Sequence, residues 1–211
     1  MGEESSVKLI GAWFSPFSFS IICGLELKGI KYDYIEEDLV SKSEMLLKYN
    51  PIYKKIPVFV HCGKPTLESM VILEYIEEML PDNYPLLPKD PYQKSIARFW
   101  IKFIEEKRVS FATFFKTSGE EHEKTKGEIS EILKTIEEQS GIGDANKMFF
   151  GGDSINAVDL AFASIAYWFG AMEESMDYNV VKMPQTLGKR SKCPNPLLLP
   201  IIVKMGHFDH S

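Results

Sequence analysis

An α/β unit followed by an all-helical unit is the fold class the sequence predicts, and three observations predict it. Strand-like and helix-like patterns interleave over residues 7–80. Prolines at 81, 85, 88 and 91 then interrupt the chain. Beyond them strand signals cease and apolar residues recur at helical spacing. The predicted division is a first domain over 1–80, a linker over 81–92, and a helical domain over 93–211 with an irregular tail.

Residues 7–13 (VKLIGAW) read as a short strand. Ser15 is a preferred N-cap, Pro16 suits the first helical position and Gly29 closes the pattern, which predicts a helix between them. A second strand begins within 31–39, and residues 42–51 make a short helical turn halted before Pro51. Residues 56–67 read as a hairpin turning at Cys62-Gly63. Val71, Ile72, Tyr75, Ile76 and Met79 mark an amphipathic helix over 68–80, with Ser69 as its expected cap. In the second domain Ile96, Phe99, Trp100, Phe103 and Ile104 predict one buried helix face, and Ile129, Ile132, Leu133 and Ile136 another. Residues 156–172 are apolar all round, the pattern of a helix inside a bundle. Prolines at 184, 194, 196 and 200 break up the tail, the one net-basic part of the chain.

The chain has 211 residues, 45% of them hydrophobic and 12% aromatic, enough for a real core rather than global disorder. A formal charge of −6 without a long basic block argues against nucleic acid as the main partner. Cys23, Cys62 and Cys193 are widely spaced with no C-x-x-C, which fits a reducing compartment and neither a disulfide framework nor structural zinc. No signal-peptide pattern and no apolar run of membrane-spanning length is present, so a cytoplasmic location without a membrane partner is expected. The opening MGEESS fits the loose myristoylation pattern, but Glu3, Glu4 and the lack of a polybasic patch favour a plain polar tail.

His61, His122, His207 and His210 form no metal-binding spacing, so no metal is expected. Phosphate-loop, dinucleotide and nucleophile-elbow motifs are also absent. The chemistry on offer lies at helix starts in the first unit. Ser15 stands at a helix N-terminus, which carries unsatisfied N–H groups and favours an anion. No base accompanies it, only Trp13, Phe14 and Phe17, so it suits a hydrogen-bond donor better than a nucleophile. By position alone, an ordinary cap is the favoured reading. Glu68 and Ser69 open another helix, where an acid beside free N–H groups suits the ammonium and carboxylate of an amino-acid head group. Lys42, Lys54 and Lys55 are each plain surface residues taken singly. Together with Ile56-Pro57, where a proline opens a strand, they suggest a site.

These stretches carry a resemblance. LIGAWFSPF, the run from YIEEDLVSKSE to ILEYIEE, PLLPKDPYQ and FFGGDSINAVDLAF resemble plant glutathione transferases of the tau class over about residues 7–175. The resemblance implies a thioredoxin-like N-terminal domain and an all-α C-terminal domain. It implies that Ser15 is catalytic, its hydroxyl pointing at the sulfur of the co-substrate glutathione. Glu68 and Ser69 would hold the γ-glutamyl group, Lys42 and Lys55 the glycine carboxylate, and Ile56 the cysteinyl backbone, with Pro57 as a cis-proline. Asn156 and Asp159 would form a helix-capping box. The apolar electrophile would lie against Trp13, Phe17, Val109, Phe111, Thr113 and Trp168. A homodimer, and a side activity on organic hydroperoxides, are further implied.

Two departures from the family stand out. Ser20 occupies a position where the family usually carries arginine, and the tail after SKCPNP does not continue in the family's way, so it looks shortened or rewritten. The alternatives to a transferase are a ligandin-type carrier of apolar small molecules with weak or no catalysis, and a non-catalytic partner subunit.

Overall fold

A computed structural model describes residues 7–140 and 149–162, which fall into two compact units, one up to Leu86 and one from Leu87. Trp168 and the tail lie outside the described residues.

The first unit runs β1 (Val7–Gly11), α1 (Pro16–Leu27), β2 (Asp33–Glu36), α2 (Glu44–Tyr49), β3 (Val58–His61), β4 (Lys64–Leu67) and α3 (Ser69–Met79). The sheet order is β2-β1-β3-β4. β1 pairs parallel to β2 and antiparallel to β3, and β3 pairs antiparallel to β4. The parallel pair needs a crossover, which α1 supplies, while the antiparallel pair closes through a two-residue turn. That turn is Cys62-Gly63, with φ of 49° and 74°. Both residues adopt the left-handed conformation that tight hairpins demand.

The sheet buries Leu9, Ile10, Val58, Phe59 and Val60 against Ile21, Leu25, Ile72, Leu73 and Ile76 of α1 and α3 or against Leu46 of α2. α1 ends at Leu27, two residues before Gly29. The Gly29 N–H donates to Glu26 O and the Ile30 N–H to Leu25 O, which satisfies two terminal carbonyls. Gly29 takes φ 65° there, which only glycine adopts without strain.

A polar tie inside this unit has no hydrophobic signature in the sequence. Lys28 is completely buried, its Nζ 2.5 Å from Glu77 Oε2 and 2.7 Å from the Leu80 carbonyl. Glu77 also accepts the Leu86 N–H at 2.9 Å, and Asn83 Nδ2 donates to Lys28 O at 2.9 Å. The ends of α1 and α3 are thereby fastened to the residues that follow α3.

The second unit contains α4 (Pro91–Lys116) and α5 (Glu120–Gln139). Asp90 caps α4, accepting from the Gln93 N–H at 2.9 Å, with Pro91 at the first turn. Ile129, Ile132, Leu133 and Ile136 are buried as their spacing predicts. The buried line on α4 is rotated from the predicted one. Ala97, Trp100, Ile101, Ile104, Phe111 and Phe114 are buried, while Phe99 is 58% and Ile96 37% exposed. Ala97 and Ile101 complete the i, i+3, i+4, i+7 stripe; Ile96 and Phe99 belong to a neighbouring stripe with Tyr92 and Phe103. Further along, helical residues 157–162 begin at a closed capping box. Asn156 Oδ1 accepts the N–H groups of Val158 and Asp159, and Asp159 accepts the N–H groups of Asn156 and Phe150.

Candidate active site

The register of the sheet decides which loops meet. Ile10 pairs with Val58, Val58 pairs with Leu67, and Gly11 pairs with Glu36. The residues just past those pairs therefore leave the sheet at one end. They begin the segments 12–15, 37–43 and 68–69, and the segment 55–57 arrives at the same end. Every glutathione-site residue expected from the sequence lies on one of these four segments.

Ser15 is the N-cap of α1, with extended backbone and 7% exposure. Its Oγ accepts the Ser18 N–H at 3.3 Å, and its own N–H donates to Ala12 O at 2.9 Å. The capping bond occupies a lone pair of Oγ and leaves the hydroxyl proton available for donation. Capping and donation are thus compatible on one atom.

The loop carrying Ser15 is held from below and from the side. Ser18 Oγ accepts the Ala12 N–H at 3.3 Å, and Glu36 Oε1 accepts the Trp13 N–H at 3.2 Å. The Glu37 N–H donates to Gly11 O at 2.8 Å. Burial, and then the charge of Glu36, push the Tyr34 phenol well above the ordinary tyrosine range, so it stays neutral under this loop. Trp13, Phe14 and Phe17 flank Ser15 with 52%, 41% and 39% exposure, and Trp13 meets Phe14 edge-on at 5.7 Å. Ser20 is buried and donates to the Pro16 carbonyl at 3.2 Å.

The β4–α3 junction differs from the sequence expectation. Glu68, not Ser69, is the N-cap residue, with φ 68° and no side-chain capping bond. Ser69 is the first helical residue and is buried. The Glu68 side chain makes no capping bond to the first turn, and the residue is exposed. Ile56-Pro57 is a cis peptide, and the β3 ladder begins immediately after it at Val58. Ile56 is half-buried and Lys42, Lys54 and Lys55 are exposed.

Two residues that the sequence did not single out hold these segments. Glu37 is a buried carboxylate bonded to Ser43, and Asn50 is a buried amide bonded to Lys55 and Tyr53. Their only signal in the sequence is a polar residue just after the second strand and another at the end of the short helix.

In the second unit Val109 is exposed and Thr113 half-buried, one helical turn apart on α4. Phe111 is buried on the core stripe of α4, which removes it from a solvent-facing wall. No group of His, Cys, Asp and Glu suited to a metal occurs among the described residues. No helix among them is long and apolar enough to cross a membrane.

Comparison with known proteins gives a consistent result. The model of the glutathione S-transferase N-terminal domain matches residues 5–78. A probable glutathione S-transferase from Nicotiana tabacum is 45% identical over 178 residues, 84% of this chain and 78% of that protein. Glutathione S-transferase U8 from Arabidopsis thaliana is 45% identical over 184 residues, 86% of this chain and 80% of that one. Among solved structures, a tau-class glutathione S-transferase from mango superposes with TM-score 0.85 at 34% identity, covering 96% of both chains. A rice glutathione transferase in complex with glutathione gives TM-score 0.82 at 30% identity, over 97% of this chain and 96% of that one.

Proposed function

The chain belongs to the glutathione S-transferases, in their tau class, and on that footing we propose that it joins the sulfur of glutathione to electrophilic carbons of apolar substrates, with Ser15 stabilising the thiolate. The observation that carries this assignment is Ser15 Oγ, a capping acceptor at the start of α1 whose hydroxyl proton is left for a ligand. A free thiol of pKa about 8.5 is only about 3% ionised at pH 7, and lowering it by two units takes about 2.7 kcal/mol. A charge-assisted hydrogen bond supplies roughly 1.5–3 kcal/mol, and a helix N-terminus up to about 2 kcal/mol. The two suffice, with no covalent enzyme intermediate. The bond to the Ser18 N–H polarises the Ser15 hydroxyl and strengthens it as a donor.

Around that atom, Glu68 and Ser69 take the γ-glutamyl head group, Ile56 the cysteinyl backbone, and Lys42 and Lys55 the glycine carboxylate. Trp13 and Phe17, exposed beside Ser15, take the apolar electrophile. The protein works in the cytoplasm as a homodimer, a state that sedimentation velocity reads directly. The same thiolate can reduce organic hydroperoxides.

The test is the ultraviolet thiolate absorbance on adding glutathione. Wild type should show it near neutral pH, and Ser15→Ala should bind glutathione without it and lose most turnover. Full turnover in Ser15→Ala would sink the assignment. A carrier role for apolar small molecules is a second reading, favoured by the exposed rings of Trp13, Phe14 and Phe17 beside Ser15. Tight binding of apolar ligands with negligible conjugation would select it over the transferase.

A further inference from the structure

We propose that Glu37, bonded to the residue that caps α2, and Asn50, at the other end of α2, are buried positioning residues that set Lys42 and Lys55 for the glycine carboxylate of glutathione. The proposal rests on the assignment of those two lysines made above. Each lysine is exposed and long, so its side chain alone does not define a site. What defines it is the backbone that carries the side chain, and at both positions that backbone is pinned by one buried polar group.

Glu37 is 3% exposed. Its Oε1 accepts the Ser43 N–H at 2.7 Å and its Oε2 accepts the Ser43 hydroxyl at 2.6 Å. Ser43 in turn caps α2, its Oγ accepting the Leu46 N–H at 3.1 Å. Lys42 is the residue just before Ser43, so its Cα lies about 3.8 Å from a doubly anchored one. The anchor reaches the centre of the site, because the Glu37 N–H donates to Gly11 O on the strand that leads to Ser15. A buried carboxylate persists only when such donors satisfy it, which makes this loop geometry costly to change.

Asn50 does the same at the other end, also at 3% exposure. It accepts the Lys54 N–H on its carbonyl at 2.9 Å and the Tyr53 N–H on Oδ1 at 3.0 Å. Its Nδ2 donates to the Lys55 carbonyl at 2.8 Å. Lys54 is held at φ 53°, a turn that non-glycine residues adopt only when their surroundings impose it. The amide therefore fixes where Lys55 stands.

The glycine residue of glutathione gives the test its handle, because γ-glutamylcysteine carries the same thiol and γ-glutamyl group without it. KM and kcat for both thiols should be measured in wild type, Glu37→Gln, Asn50→Asp, Lys42→Ala and Lys55→Ala. Glu37→Gln and Asn50→Asp should raise KM for glutathione by about tenfold, the weight of one charge-assisted hydrogen bond. KM for γ-glutamylcysteine should stay within about twofold and the effect should lie in KM rather than kcat. Glu37→Gln and Lys42→Ala should combine to less than the product of their effects, as residues acting through one contact do. If Glu37→Gln does not fold, Ser43→Ala breaks the same link from its other side and should show the same selectivity. Equal losses for both thiols overturn the proposal, since they mark a general structural role. A ratio that shifts in the lysine variants but not in Glu37→Gln or Asn50→Asp also overturns it, and leaves the lysine assignment standing. A ratio unmoved in Lys42→Ala and Lys55→Ala removes that assignment and the proposal together.

Discussion

A methyl group at Gly11 would lie 2.7 Å from Ser18 Oγ and 3.2 Å from a ring carbon of Tyr34. Ser18 is the side chain that accepts the Ala12 N–H, so Gly11 is small because the Ser15 loop folds back over it. Gly11→Ala should therefore destabilise the protein by about 1–3 kcal/mol, the cost of overpacking, and should also depress thiolate formation by moving the loop. Urea midpoints and the thiolate absorbance of the same variant check both; normal values of each would show that Ser18 yields freely. Ser15→Ala should lose about 1 kcal/mol of stability as well as turnover, because the cap and the donor are one atom. The role of Ser15 as a cap was legible in the sequence, since Ser-Pro before an apolar run is a helix start. The partner of the cap was not, because only the folded turn shows that the Ser15 oxygen accepts the Ser18 N–H. The misplacement of the cap at Ser69 has a similar cause. Glu68 takes a left-handed φ that a sequence pattern does not announce.

At the scale of elements, the sheet and its helices follow from alternation, caps and glycines, and each of β1 to β4 lies within its predicted stretch. The buried face of α4 was harder to read, because two apolar stripes run along the same helix and only packing chooses between them. The Lys28–Glu77 tie was invisible for another reason: nothing in a charged residue's immediate neighbours says that a distant partner will bury it. Removing one member should be costly. Lys28→Met leaves Glu77 charged and buried, and about 3–5 kcal/mol of stability should go. Adding Glu77→Gln removes that charge while an oxygen remains to accept the Leu86 N–H, so the double variant should be more stable than Lys28→Met alone. Chemical denaturation orders the two; the reverse order would mean that the unpaired carboxylate is not what destabilises the single variant.

For the molecule as a whole, the loss of stability at alkaline pH follows from one buried thiol and two half-buried phenols. Burial, with the charge of Glu26 behind it, raises the thiol of Cys23 and the phenol of Tyr32, and burial with Glu36 raises Tyr34. In the unfolded chain these groups ionise near about pH 8.5 for the thiol and about pH 10 for the phenols. Above those values the unfolded state holds fewer protons than the native one, so stability is complete below about pH 8.5 and falls as pH rises. Urea midpoints should drop between about pH 8 and about pH 10.5, and Cys23→Ala should delay the onset toward the tyrosine range. A flat profile would contradict the burial of these groups. The sheet register has a practical consequence of its own. All four site segments sit at the Ile10 end, while the Cys62-Gly63 turn closes the end where Val7 meets His61. Cys62 is exposed, unlike the inert Cys23, and stands about 13 Å of strand away from the chemistry. A fluorophore or a surface tether attached there would sit at the opposite end of the sheet from the segments proposed to hold glutathione, giving an immobilised or dye-reporting form of the protein without touching them.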